Sequence, residues 1–171
     1  EVEKAISTEN PYEYVATGHS GIDNKIRGLV KGGLTFIKAM RGQGKTELIR
    51  YFEIGLLKND TKIAMLHMEE QKSTTYRAMA TYELGLNVRT KEDARDNGVS
   101  EDQVILAAKI AAQDDKTIVF EMRGHDDPMQ LLDYVRLATT VYGAQYIFID
   151  HVQRLAYLSN AGVEGATSTL T

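Results

Sequence analysis

The chain is expected to be an α/β protein with a doubly wound, mostly parallel sheet, and three observations lead there. Short apolar strand patterns alternate with amphipathic helical ones in the order β-α-β-α-α-β-α-β. The first strand pattern, Leu34–Lys38, runs straight into a glycine-bearing turn that closes on Gly44-Lys45-Thr46 at the head of a helix. Chemically pointed residues stand at the ends of three strand patterns: that loop, Glu69-Glu70 and Asp150. Open α/β sheets bind their ligands at this carboxyl rim.

Taken in order, residues 1–16 are polar and irregular, with a turn at Asn10-Pro11, and suit a linker or a strap onto a neighbouring domain. The core is expected over residues 17–155. Glycines crowd residues 17–33 as turn punctuation, and from spacing alone the simplest reading is a surface loop leading into the first strand. Helix one spans Gly44 to Lys58, with Leu48, Tyr51/Phe52, Ile54/Gly55 and Leu56 at helical spacing, and Asn59-Asp60 ends it. Strand two, Lys62–Met68, is apolar on both faces, as a parallel strand covered on both sides should be. Helix two covers Ser73–Leu84, and the charged stretch Gly85–Val99 is a surface connector or short helix. Ser100 with Gln103 three residues on forms a capping-box pattern that starts helix three at Glu101–Gln113. Strand three is Thr117–Met122, and helix four begins at Pro128, a residue suited to a first helical position, and runs to Tyr142. Strand four, Gln145–Ile149, ends at Asp150. Residues 156–171 form a polar loop or the start of a truncated segment. The sheet is therefore expected to be incomplete on its C-terminal side, and the chain to be a piece of something larger, since it opens at Glu1 without an initiator Met.

The 171 residues suffice for one domain, burying roughly 70% of the surface that the unfolded chain exposes. Absence of cysteine removes disulfides and thiolate metal sites and fits cytoplasm or another reducing compartment. Twenty Lys and Arg against twenty-four Asp and Glu give a net charge of −4. Bulk electrostatic attraction to nucleic acid is thereby excluded, so any DNA contact must be local or shared among subunits. No apolar run approaches the roughly 20 residues of a membrane span.

A strand that delivers a glycine turn to a helix N-terminus leaves backbone N–H groups unpaired, and these donors with the helix dipole suit phosphate. The candidate nucleotide contacts are Ala39, Arg41, Gly42, Gln43, Gly44, Lys45 and Thr46, with Asp150 at the far strand end. Lys45 supplies a point charge to the terminal phosphates, and the Thr46 hydroxyl and Asp150 carboxylate are hard oxygen donors for Mg²⁺. Hydrolysis needs a group to orient or deprotonate water beyond the last phosphate, and Glu69 is the candidate, with Glu70 as the alternative. His67 and His151 flank the acids and are more simply packed, hydrogen-bonded residues. Gly124-His125-Asp126-Asp127 is a polar loop in preference to a metal site, because no second cluster completes it. Tyr76, Tyr82, Tyr134 and Tyr142 lie at helix-face positions and read as core or interface residues, although tyrosine can stack on bases.

These residues carry a resemblance. Thr17-Gly18 with Asp23, Gly28-Leu29, Gly32 and Leu34-Thr35, then Ala39-x-x-x-x-Gly44-Lys45-Thr46, then Glu69, then Ile147-Phe148-Ile149-Asp150-His151-x-Gln153 resemble the RecA-like motor domain of DnaB-type replicative helicases, the phage primase–helicase and Twinkle-like members above all. The likeness covers roughly residues 15–155, and Ala39 stands where the common loop begins with Gly, a replacement that the family tolerates. It implies a RecA-like P-loop NTPase that binds ATP or another NTP with Mg²⁺, and a homo-oligomeric ring, usually a hexamer, that translocates on single-stranded DNA and unwinds duplex. A primase domain or partner and a home in phage-infected or bacterial cytoplasm, or the mitochondrial matrix, also follow from the likeness. Lys45 and Thr46 take the phosphate and Mg²⁺ roles, Glu69 the base role and Asp150 the Mg²⁺ role. In the family a glutamine-bearing sensor strand, an arginine finger and the main DNA loops follow the second acidic strand. An arginine finger contributes about 10³ to 10⁵ in rate in related systems, so the 171 residues alone are expected to turn nucleotide over weakly or not at all. Arg154, in a polar segment where the family places a channel-facing loop, can meet phosphate or belong to a solvated tail. A RecA-type recombinase or KaiC-like switching ATPase is the alternative on the same fold, and a scaffold that binds nucleotide without hydrolysis is disfavoured by Glu69.

Overall fold

The computed structural model describes residues 13–113, 115–121 and 128–150. Its elements are β1 (Tyr14–Val15), α1 (Ser20–Ile26), β2 (Leu29–Val30), α2 (Lys45–Lys58), β3 (Ile63–His67), α3 (Lys72–Leu84), α4 (Lys91–Asp96), α5 (Glu101–Ala112), β4 (Thr117–Phe120), α6 (Pro128–Thr140) and β5 (Tyr146–Asp150). Every residue of β3 is buried, as its two apolar faces require. It is the centre of a three-stranded parallel sheet in the order β4-β3-β5. Ile63 lies opposite both Thr117 and Tyr146, and His67 lies opposite Asp150. That register brings the ends of β3 and β5 level.

Alternate side chains of β3 feed two cores, one on each side of the sheet. Ile63 and Met65 join Val119 and Phe148 against Phe52, Leu56 and Leu57 of α2, Met79 of α3 and Ala111 and Ala112 of α5. Ala64 and Leu66 join Phe120 against Leu131, Tyr134 and Ala138 of α6. Leu56 and Leu57 are essentially inaccessible, and burying such a side chain is worth about 1.5–3 kcal/mol. A third cluster, built on Ala80, Val88, Ala94, Val104 and Ala107, ties α3, α4 and α5 together. The Ser100–Gln103 capping box forms as read from the sequence, and a second one, Thr90 with Asp93, starts α4. Tyr76 and Tyr82 pack on the cores, and the Tyr134 ring lies 4.9 Å from that of Phe120.

Two expectations fail. Leu34–Lys38 is not a strand: the segment has no ladder, and Leu34 and Phe36 are 80% and 74% exposed. Only Ile37 reaches the core. An extended run whose larger side chains find no packing surface gains neither burial nor sheet hydrogen bonds, so its β propensity is not realised. Residues 13–33 are also more ordered than their glycine content suggests. Tyr14–Val15, expected to be irregular, pairs antiparallel with Leu29–Val30, and α1 lies between them.

One carboxylate organises that region. Asp23 accepts the Thr17 N–H at 2.9 Å, the Thr17 hydroxyl at 2.8 Å and the Gly18 N–H at 3.1 Å. The resulting strap crosses the back of α2 at Gly55, where a Cβ would lie 1.8 Å from the Thr17 carbonyl oxygen. Glycine is required there by close approach. Tyr51 of α2 and Asn59, the cap at its C-terminus, fasten the strap by donating to Gly18 O and Ala16 O, each at 3.1 Å.

Candidate phosphate-binding site

The loop between Ala39 and Gly44 is exposed. Gly42 and Gly44 sit at φ 79° and 77°, a left-handed conformation that other residues adopt only under strain. The Gln43 N–H donates to Met40 O at 3.3 Å, closing the turn, and α2 starts at Lys45 with Gly44 as its N-cap. No side chain caps this end. The loop therefore presents backbone donors at the positive end of a 14-residue helix, an arrangement suited to anions.

The ends of β3 and β5 bring the remaining groups to it. Asp150, 7% exposed, accepts the Thr46 hydroxyl on Oδ2 at 2.6 Å and faces Lys45 Nζ from Oδ1 at 3.4 Å. The structure thus brings the candidates Lys45, Thr46 and Asp150 together at one spot, though 104 residues separate Thr46 from Asp150. The Met68 N–H donates to Asp150 O at 2.8 Å, so Glu69, the next residue, leaves β3 on the same rim and stands exposed. Glu70, half-buried, is engaged with the Arg50 guanidinium of α2. Ala39, Arg41, Gly42 and Gln43 are exposed along the loop. His151, Gln153, Arg154 and the 123–127 loop lie outside the described residues, as do residues 1–12 and 156–171.

A hydroxyl and a carboxylate side by side are the hard oxygen donors that Mg²⁺ prefers. Among the described residues no group of three or more His, Cys, Asp or Glu could hold a metal unaided. This donor set fits a magnesium ion that arrives with phosphates, since such an ion takes only one or two protein oxygens and the rest from substrate and water.

Behind the rim lies a polar network that sequence reasoning missed. His67, 2% exposed, has Nε2 2.8 Å from Glu53 Oε1 and Nδ1 3.0 Å from Thr75 Oγ1. Burial is the largest influence on its imidazole and favours the neutral form. The hydrogen-bonded Glu53 carboxylate, helped by Glu70 and opposed by Arg50, outweighs burial and holds the ring above its ordinary pKa. As read from the sequence, His67 is packed and hydrogen-bonded. On the outer side of α2, burial tends to raise the Glu47 carboxyl, but Arg89, Arg50 and Tyr82 hold it below the usual carboxylate range. Helical spacing could have exposed the network: Thr46, Arg50 and Glu53 fall at i, i+4 and i+7, on one face of α2.

A family model described as the DnaB-like helicase C-terminal domain matches residues 14–168. The chain belongs to that family. A search of curated proteins finds no match. The helices and the three-stranded parallel sheet agree with the α/β fold of a DnaB-like helicase domain. No helix among the described residues is long and apolar enough to cross a membrane.

Proposed function

We propose that this DnaB-like domain binds and hydrolyses ATP, or another NTP, to drive a replicative DNA helicase that translocates on single-stranded DNA and unwinds duplex. The observation that carries the reading is the meeting of Lys45, Thr46 and Asp150 beneath a glycine loop at a helix N-terminus. In it residues 17–155 form part of a doubly wound RecA-like core, and the subunits act as a homo-oligomeric ring, a hexamer in the family pattern. The loop from Ala39 through Arg41, Gly42, Gln43 and Gly44 wraps the phosphates with backbone N–H groups. Lys45 turns its ammonium from Asp150 to the terminal phosphate, and Thr46 with Asp150 would hold Mg²⁺, which neutralises phosphate charge when bound. Glu69 orients the attacking water and accepts its proton.

A geometric reason favours Glu69 over Glu70 as the base, because Glu70 is held by Arg50. The test is Glu69→Gln in the intact protein with single-stranded DNA. Steady-state turnover should fall by at least about 10², with Mg-nucleotide affinity preserved. Lys45→Ala should instead weaken nucleotide binding itself. Undiminished hydrolysis in Glu69→Gln would move the base role elsewhere, and normal affinity in Lys45→Ala would sink the reading.

A further inference from the structure

Arg50 is 5% exposed on the α2 face that also carries Thr46 and Glu53. A buried guanidinium is strongly disfavoured unless its charge is met, and Arg50 is met twice. It donates to Glu47 Oε1 at 3.0 Å, within the helix, and to Glu70, which belongs to the turn after β3. The three residues of that face therefore make three polar rungs to the strand ends: Thr46 to Asp150, Arg50 to Glu70, and Glu53 to His67. The turn itself is short. The Glu70 N–H donates to His67 O at 3.4 Å, and the Met68 N–H donates to Asp150 O. Glu69 lies between these two donors.

We propose that Arg50 is a positioning residue for hydrolysis: by holding Glu70 against α2, it fixes the turn that carries Glu69 and keeps the neighbouring carboxylate away from the nucleotide. The proposal rests on the assignment of Glu69 as base. One helical turn separates Arg50 from Thr46, so the helix that receives the phosphates at its head is also the helix that sets the base. A carboxylate displaced by an ångström loses much of its catalytic advantage while nucleotide contacts to the loop remain. Loss of Arg50 should therefore appear in kcat and leave affinity intact.

The experiment measures single-stranded-DNA-dependent ATP hydrolysis and Mg-ATP binding for the intact protein and for Arg50→Ala, Arg50→Lys, Glu70→Gln, Arg50→Ala/Glu70→Gln and Glu69→Gln. Arg50→Ala and Glu70→Gln should each lower kcat by about 10- to 100-fold, with the dissociation constant for Mg-ATP changed by less than about threefold. The double variant should be no worse than Arg50→Ala, as expected of one coupled interaction. Arg50→Lys keeps the charge without the planar fork and should recover part of the rate. Glu70 is more exposed than Arg50, so Glu70→Gln carries the test if Arg50→Ala fails to fold. Unchanged kcat in Glu70→Gln, or affinity falling as far as kcat, overturns the positioning role. Normal turnover in Glu69→Gln moves the base role elsewhere and takes the positioning role with it, whereas no turnover in the unaltered intact protein overturns the hydrolytic reading itself.

Discussion

Replacing Gly55 by alanine should destabilise the domain, although the same exchange in an ordinary helix stabilises by about 1 kcal/mol. The added Cβ would stand 1.8 Å from Thr17 O and 2.6 Å from Thr17 C, and both are backbone atoms without a rotamer to yield. Relief requires the strap to retreat by roughly 1.5 Å to ordinary contact. That movement stretches the bonds from Tyr51 to Gly18 O and from Asn59 to Ala16 O, now 3.1 Å each. Each is worth about 1 kcal/mol net, and overpacking costs typically 1–3 kcal/mol. With the helix-propensity gain deducted, a net loss of about 2–4 kcal/mol remains. For a domain of this size that lowers Tm by roughly 4–16 °C. Thermal unfolding followed by circular dichroism at one fixed protein concentration reads the shift. A Tm equal to or above that of the unaltered chain would refute the steric argument.

Two further outcomes follow from the polar groups. Because the folded-state pKa of His67 is raised, the Glu53–His67 contribution to stability is complete below the unfolded value of about 6.5 and is lost as pH rises through the folded value. Urea unfolding on either side of that window should show the unaltered protein losing more stability on alkalinisation than Glu53→Gln, and equal losses would contradict the pairing. Ser100→Ala removes the acceptor of the Gln103 N–H and should cost about 1 kcal/mol in the same assay, whereas no change would mean that α5 does not depend on its cap.

The fold was legible wherever one residue's chemistry sufficed. Apolar runs such as Ile63–Leu66 and Tyr146–Ile149 declare strands, and Ser100 declares the start of α5 by its side chain. Leu34–Lys38 was misread because its apolar residues look like those of a core strand, yet strand formation needs a partner and a covering face, which local pattern does not contain. The strap was hidden for the opposite reason: its glycines look like loop punctuation, while its order comes from Asp23 closing back on Thr17 and from Gly55 receiving it.

What the sequence nominated by itself were the candidates for the site, Gly42, Gly44, Lys45, Thr46, Asp150 and one of Glu69 and Glu70, since phosphate, metal and proton chemistry each demand particular side chains at particular element ends. The tertiary structure decided how they are held. Only the parallel register that levels β3 with β5 brings Thr46 to Asp150, and only the packing of α2 over those strand ends gives Arg50 a carboxylate to grip. Glu69 and Glu70 are chemically equal in the sequence. They differ because the fold sets Glu70, together with Glu47, beside the buried Arg50 guanidinium whose charge must be met, and leaves Glu69 at the exposed rim.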